Sequence, residues 1–300
     1  MIEEKQENAE LWQYVEKHRP QIERSLREHL PLAPAKIETQ FNEAVEYALF
    51  SGGKRLRPVL TLLGAELFGG KPEVIMPAAV AGEFIHTSSL IFDDLPCMDN
   101  APERRGKTSL HEKFGEGLAV LVAIGFLNAS YALVFVNHSN LPERAMLAHA
   151  ELVECIGASG MIGGQSVDLA LAKGAGASEN SQNFESVRNL KTSALMRLSL
   201  RVGAILAGAS HLDLAALSRF AELLGDAYQL SDDLLDLEED AHVFGDEQKT
   251  FAINEGKQAA TRQLQEIIKE AKRVLAENFQ PSNARRCLLE FTDYMAERKA

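Results

Sequence analysis

Apolar positions recur at helical spacing along nearly the whole chain. Phe41, Ala44, Val45, Ala48 and Leu49 follow the i, i+3, i+4, i+7, i+8 pattern of one helix face. Ser51-Gly52-Gly53 then breaks the helix, and Pro58 stands where a new helix begins. Val59 to Phe68 reads as that helix, stopped by Gly69-Gly70, and a further one runs from about Glu73 to Phe92. Punctuation falls at Pro96 to Gly106, Gly115 to Gly117, Asn140 to Pro142, Gly174 to Asn183 and near Gly245. Convincing alternating strands, a Pro/Ser-rich linker and a repeat of fixed period are all absent. The pattern predicts a single all-α domain over residues 1–300.

The stretch Gly117 to Val136 carries no charge and is long enough to cross a bilayer. It contains Gly125, Asn128, Ser130 and Tyr131, however, and no basic cluster flanks it. A chain of amphipathic helices needs a central helix that is apolar all round. The expectation is a buried core helix over 117–136 and no membrane span.

The 46% apolar and 25% charged residues are those of a globular protein with a substantial core, and aromatics at only 7% lean towards helix. A net charge of -12 argues against nucleic acid as a partner. A small polyanion remains open, provided that cations are concentrated locally. Cys97, Cys155 and Cys287 are widely spaced and form no metal-ligand pattern, which predicts a reduced, cytoplasmic protein. Met1 to Glu10 is acidic and polar, unlike a secretory signal or an Arg-rich transit peptide.

Two aspartate clusters end apolar helices. Asp93-Asp94-Leu-Pro-Cys-Met-Asp99 follows Leu90-Ile91-Phe92, and Asp232-Asp233-Leu-Leu-Asp236 follows Tyr228-Gln229-Leu230. Asp232 and Asp236 share a helix face, where like charges repel. A hard divalent cation removes the conflict, and Mg²⁺ binds through one or two carboxylates together with substrate phosphates. Either cluster alone also reads as an N-cap or a solvated acidic face; the two together favour a shared metal site.

Three basic groupings complement them. Gly52-Gly53-Lys54-Arg55-Leu56-Arg57-Pro58 sets cations on a Gly-rich break that leads into a helix, where backbone N–H groups favour anions. Its spacing is not that of a nucleotide P-loop. Arg104-Arg105-Gly106-Lys107 follows the first acid cluster closely, and Lys191-Thr192 opens another helix. Guanidinium forks suit diphosphate oxygens, and lysine serves as a point charge. Each grouping alone also reads as a surface patch.

Five segments, GGKRLRP (52–58), IHTSSLIFDDLPCMDNAPERRGK (85–107), GGQSVDL (163–169), KTSAL (191–195) and YQLSDDLLD (228–236), make the chain resemble the trans-prenyl diphosphate synthases over nearly its whole length. The longer DDxxxxD form of the first motif is similar to that of the bacterial and plant branch. The resemblance implies an isoprenoid-synthase helical bundle of ten or more helices around a central cavity, with the acid clusters facing each other across its mouth. It implies a homodimer, and three Mg²⁺ ions per site with Mn²⁺ as a substitute. Asp93, Asp94, Asp99, Asp232, Asp233 and Asp236 would hold the ions against the allylic diphosphate. Arg104, Lys191, Thr192, Gln229 and Lys249 would contact the same diphosphate. Lys54, Arg57, His86 and Arg105 would hold that of isopentenyl diphosphate; taken alone, His86 reads as a core histidine. The implied reaction is ionisation of the allylic diphosphate, condensation and loss of a proton.

In the resembling family the residues four and five before the first aspartate tend to set the pocket floor. Here they are Ser89 and Ser88, both small, so the floor should lie deeper, at Phe84 one turn below. That turn is ~5.4 Å, about one isoprene unit, and favours a C20 geranylgeranyl product over C15 farnesyl. Two features depart from the family. The stretch His242 to Thr250 is several residues short and lacks a lysine, and the central helix reads Gly125-Phe126 in place of Gly-Asp. These departures keep in view a non-catalytic partner subunit of a synthase. A terpene cyclase or head-to-head synthase of similar fold would not need the GGKRLRP and Arg105 site.

Overall fold

The computed structural model describes residues 9–37, 39–136, 140–172, 181–243 and 256–296. Helix α1 (Ala9–Glu28) leads into α2 (Phe41–Phe50), α3 (Leu56–Glu66) and α4 (Pro72–Asp94). After a small hairpin come α5 (Leu110–Phe114), α6 (Glu116–Val134), α7 (Pro142–Ile156), α8 (Met161–Ala172), α9 (Ser181–Ala207), α10 (His211–Val243), α11 (Lys257–Asn278) and α12 (Asn283–Ala296). The helices read from periodicity over 41–49, 59–68 and 73–92 are α2, α3 and α4, each within a few residues.

Glycines allow two helices of the bundle to pack backbone against backbone. A Cβ on Gly203 of α9 would run into the Thr61 carbonyl of α3, and one on Gly64 of α3 into the Leu200 carbonyl of α9. The two helices approach backbone to backbone because each offers a glycine to the other. Around this contact lie Leu60, Leu63, Leu198, Leu200 and Val202, all buried.

Three expectations need correction. The helix over 116–134 is not covered all round. Phe126, Val122 and Ala123 are buried against the bundle, but Leu121 and Ile124 are 57% and 49% exposed. A helix on the flank of a bundle buries only the stripe that meets its neighbours; here the interior belongs to α4 and α9. Lys191-Thr192 do not open a helix, because α9 already begins at Ser181 and nothing between Ser181 and Leu190 breaks it. The loop after the first acid cluster also contains a ladder, Glu103 paired with Thr108 and Arg104 with Lys107. Arg105 and Gly106 make its two-residue turn with φ of 54° and 69°. Strands of two polar residues are too short to show alternation.

Three segments are long and apolar enough to cross a membrane by length and composition, Pro72–Asp94, Glu116–Val134 and Pro142–Ala170. The first is 78% buried inside the bundle over its most apolar window, so protein already surrounds it. The other two contribute an outward apolar face that includes Leu121, Ile124, Met146, Leu147 and Val153.

Replacing Gly203 with Ala puts a methyl where the α3 backbone stands. The expected cost is about 1–3 kcal/mol, read as a lower denaturant midpoint at unchanged m-value; an unshifted midpoint would show that the two helices separate freely.

Candidate active site

Two cavities lie on different faces of α4. The first, of about 700 Å³, is lined by Gly52, Gly53, Lys54, Arg57, His86 and Arg105. The family resemblance implied one diphosphate site for four of these, Lys54, Arg57, His86 and Arg105, and the fold brings those four together from three separate stretches of chain. The remaining wall comes from residues that sequence reasoning missed. Arg19 on α1, Tyr228 on α10 and Tyr294 on α12 all face this space. Lys54 Nζ donates to the Tyr294 hydroxyl at 2.6 Å and lies 5.0 Å from that ring's centroid. No local motif marks Arg19 or Tyr294, because they reach the cavity only when α1 and α12, near opposite ends of the chain, fold back onto α3.

The loop that carries Lys54 is shaped by backbone torsions. Gly52 and Gly53 have φ of 119° and 130°, values that side chains rarely tolerate. Arg105 Nη1 donates to the Gly52 carbonyl at 2.7 Å, so the hairpin holds the loop from the far side. His86 Nε2 lies 3.5 Å from Arg105 Nη2, and His86 Nδ1 is buried without a hydrogen-bond partner. Burial, reinforced by Arg57, Arg105, Arg104 and Arg55, holds His86 well below its ordinary pKa. The ring is therefore neutral near pH 7, a hydrogen-bonding group rather than an added charge.

The second cavity, of about 480 Å³, is almost wholly apolar. Ile85, Ser88, Ser89 and Phe92 of α4 form one wall, with Leu127, Ile156, Ile162 and Leu169 opposite. Gln165 and Ser166 of the GGQSVDL segment also line it. The two serines do not make it polar, since Ser88 donates to the Ala123 carbonyl and Ser89 to the His86 carbonyl, each at 2.9 Å. Phe84 lies one turn beneath Ser88, fully buried, with its ring 5.1 Å from that of Phe126. It is not among the residues that line the cavity.

Asp93 lines the apolar cavity at its upper end. At ~100° per residue, it falls on α4 between Ser89, which faces the apolar space, and His86, which faces the cationic one. Asp93 and Asp94 are 8% and 4% exposed and close the helix at its negative end, where carboxylates are least favoured. Asp94 is offset by Arg104, whose Nε donates to it at 2.8 Å and whose Nη2 makes a second, shorter contact. The backbone N–H of Asp99 bonds the Asp93 carbonyl at 2.9 Å, which curls the rest of the motif back over the helix end.

The second acid cluster does not end a helix as the sequence suggested but lies inside α10, which runs on to Val243, because no Gly or Pro follows Asp236 before that point. Tyr228 reaches the cationic cavity, and Asp232 is one turn further on the same face. Gln229 Nε2 donates to Asp233 Oδ1 at 3.2 Å. The side chains of Lys191, Thr192 and Asp236, and Lys249 as a whole, lie outside the described residues, as does most of the short stretch 242–250. Among the described residues no three acidic, His or Cys groups converge tightly enough to hold an ion alone. Paired hard oxygen donors of this kind fit a divalent cation shared with phosphate oxygens, not a closed protein cage.

A cationic chamber and an apolar chamber that meet at paired aspartates define an enzyme for molecules with an anionic head and an apolar tail, a helical prenyltransferase. The comparisons agree. The sequence pattern of the polyprenyl synthetase family matches residues 38–286. The chain is 38% identical over 266 residues to the chloroplastic geranylgeranyl pyrophosphate synthase of Capsicum annuum, covering 86% of this chain and 71% of that one. It is 39% identical over 214 residues to geranylgeranyl pyrophosphate synthase 3 of Arabidopsis thaliana, covering 71% of this chain but only 59% of that one. The structure superposes on an FPP/GFPP synthase from Zymomonas mobilis with a TM-score of 0.84, at 29% identity and with 96% and 99% of the chains covered. A geranyltransferase from Legionella pneumophila gives 0.82, at 31% identity and with 96% and 98% covered. The chain belongs to the polyprenyl synthetase family.

The state of His86 has a measurable consequence. Below its ordinary pKa of about 6.5, the unfolded chain binds a proton at this position that the folded chain does not. Stability therefore falls as pH drops below that value and is fully present above it. His86→Asn should show a shallower loss of stability below about pH 6.5 than the parent protein in paired denaturant titrations. Identical slopes would mean that His86 titrates normally.

Proposed function

We propose that the protein condenses isopentenyl diphosphate with an allylic diphosphate, dimethylallyl, geranyl or farnesyl, and releases trans-geranylgeranyl diphosphate. The observation that carries this reading is the position of Asp93 on α4, between the cationic and the apolar chamber. Such a site has to hold two diphosphates side by side and thread one tail away from both. Lys54, Arg57, Arg105 and neutral His86 bind isopentenyl diphosphate in the first chamber. The second takes the allylic tail, and its apolar walls keep water from the carbon that loses its diphosphate.

Magnesium is the ion best suited to the aspartates, three per site with Mn²⁺ as a substitute; when bound it would supply positive charge against the leaving diphosphate. Asp93, Asp94, Asp99, Asp232, Asp233 and Asp236 would hold it. Arg104 sits on Asp94, which sets a guanidinium beside the carboxylates that would meet the diphosphate. The proton lost after condensation passes to the released diphosphate. Phe84, backed by Phe126, is the floor that stops growth at C20.

A second copy of the chain covers the outward face of α6 and α7, giving a homodimer. Large apolar side chains such as Leu121 and Met146, 57% and 62% exposed, make this face costly to leave in water. An isologous pairing across it covers both copies at once. The cytoplasm is the proposed compartment. Cys155 and Cys287 are buried free thiols, and burial pushes Cys287 up to about 12, as suits cysteines that stay reduced.

Incubation with Mg²⁺, isopentenyl diphosphate and each allylic starter, followed by mass analysis of the dephosphorylated products, tests the activity. A C20 alcohol is expected, lost with EDTA or in Asp93→Ala, and Phe84→Leu should shift the distribution beyond C20. No elongation from any starter would favour the non-catalytic partner subunit, and an unchanged distribution in Phe84→Leu would remove that residue as the floor. Leu121→Glu combined with Met146→Glu should yield a monomer in sedimentation; a dimer unaffected by both would place the interface elsewhere.

A further inference from the structure

The elongation reading leaves one charge in the GGKRLRP loop without a task. Lys54 and Arg57 reach for substrate, while Arg55 between them borders the same cavity with its guanidinium tied to the surrounding helices. Its side chain is only 4% exposed. Nε donates to Glu23 Oε1 on α1 at 2.8 Å and Nη1 to Glu83 Oε1 on α4 at 2.9 Å. Nη2 donates to the Leu49 carbonyl, near the end of α2, at 2.9 Å. One planar fork thus ties three helices at the point where a fourth, α3, begins.

The backbone at Arg55 is left-handed, with φ of 56° and ψ of 35°. For a residue with a Cβ that conformation is unfavourable, and Gly or Asn is the usual occupant. A long cation is found there instead, and what it adds beyond either is the three-way anchor. The need for an anchor is plain from the preceding residues. Gly52 and Gly53 give the chain freedom to reach unusual torsions but cannot select one direction. Arg105 clasps the loop only at the Gly52 carbonyl, so the segment from Gly53 to Leu56 needs a second hold.

We propose that Arg55 is a positioning residue for the isopentenyl diphosphate site, its buried anchor fixing the left-handed turn that directs Lys54 and Arg57 into the cationic cavity. Glu83 takes part as the deepest point of that anchor, 3% exposed and on the same helix as His86. It also sets a negative charge beneath Lys54, Arg57 and Arg105, which eases their mutual repulsion while no diphosphate is bound. Glu23, with 31% of its side chain exposed, is the weaker tie. A buried ion pair with a purely structural role would affect both substrates alike; a positioning role falls on one of them.

The inference rests on the elongation reading for the identity of the ligand, and binding measured without turnover separates the two. Arg55→Lys keeps the charge but gathers its donors on one nitrogen in place of a planar fork spread over three acceptors, Arg55→Gly relieves the torsion and removes the anchor, and Glu23→Gln loosens one tie. Steady-state kinetics and calorimetric binding of isopentenyl diphosphate are measured for each. In Arg55→Lys and Arg55→Gly, KM for isopentenyl diphosphate should rise about ten-fold or more, with kcat and KM for the allylic diphosphate within about two-fold. Calorimetric affinity should fall in step, and Glu23→Gln should move the same way by less. Equal changes in both KM values, or lowered stability with isopentenyl diphosphate binding intact, would overturn the proposal. Should the Arg55 variants fail to fold, Glu23→Gln alone decides between these outcomes. If the parent protein elongates nothing yet binds isopentenyl diphosphate through an Arg55-dependent site, the positioning role stands and the elongation reading falls.

Discussion

Helix α4 is buried along most of its length and still has to serve three chemistries, and the rest of the molecule is arranged around that constraint. Glu83 and His86 look into a cationic chamber, Ser88 and Ser89 into an apolar one, and Asp93 and Asp94 close the end of the helix. Each face needs a different neighbour. Arg55 and Arg105 meet the first, α6 with Leu127 and α8 with Leu169 meet the second, and Arg104 meets the carboxylates. A helix with polar groups on several sides has no single apolar stripe to bury. It is held at the centre because Glu83, Thr87, Ser88 and Asp94 each find a partner, while His86 borders the cationic chamber.

Local charge runs against the global balance. The chain is strongly acidic, yet one of its cavities gathers Arg19, Lys54, Arg57 and Arg105. Such a cluster is repulsive when empty, so its members are restrained. Lys54 rests on Tyr294, Arg105 on the Gly52 carbonyl, and the turn between Lys54 and Arg57 on the buried Arg55. Restraint before binding lowers the ordering cost when a dianion arrives. The buried neutral His86 adds a hydrogen-bonding group without adding to the repulsion.

Much of this was legible from spacing. The helices α2, α3 and α4 follow from apolar periodicity interrupted by Ser51-Gly52-Gly53 and Gly69-Gly70. The first aspartate pair declares itself because carboxylates at the end of an apolar helix are costly without a counter-charge, whereas the second lies inside α10. Lys54, Arg57, His86 and Arg105 were placed in one pocket by the family resemblance, not by spacing, and meet in one. Glu83 escaped, because its partner Arg55 lies 28 positions away and only the packing of α3 on α4 joins them. The hairpin over 103–108 escaped because two polar residues per strand carry no alternation. The exposed flank of α6 escaped because an uncharged stretch looks the same whether protein covers it on all sides or on one.

By itself, then, the sequence determined the helical class, the breaks between the first helices and which residue types gather for diphosphate chemistry, since all of these depend on neighbours within a few turns. Tertiary structure alone decided which distant segments complete the cationic cavity and which helices occupy the centre. It also decided that Arg55 turns inward while Lys54 and Arg57 do not. Arg19 and Tyr294 are 275 positions apart and meet at one wall only through the packing of α1 and α12. Likewise, α3 and α9 touch through Gly64 and Gly203 because each backbone needs the other's missing side chain. Contacts of this range have no local pattern, because the energy that selects them is shared across surfaces that do not exist until the chain has folded.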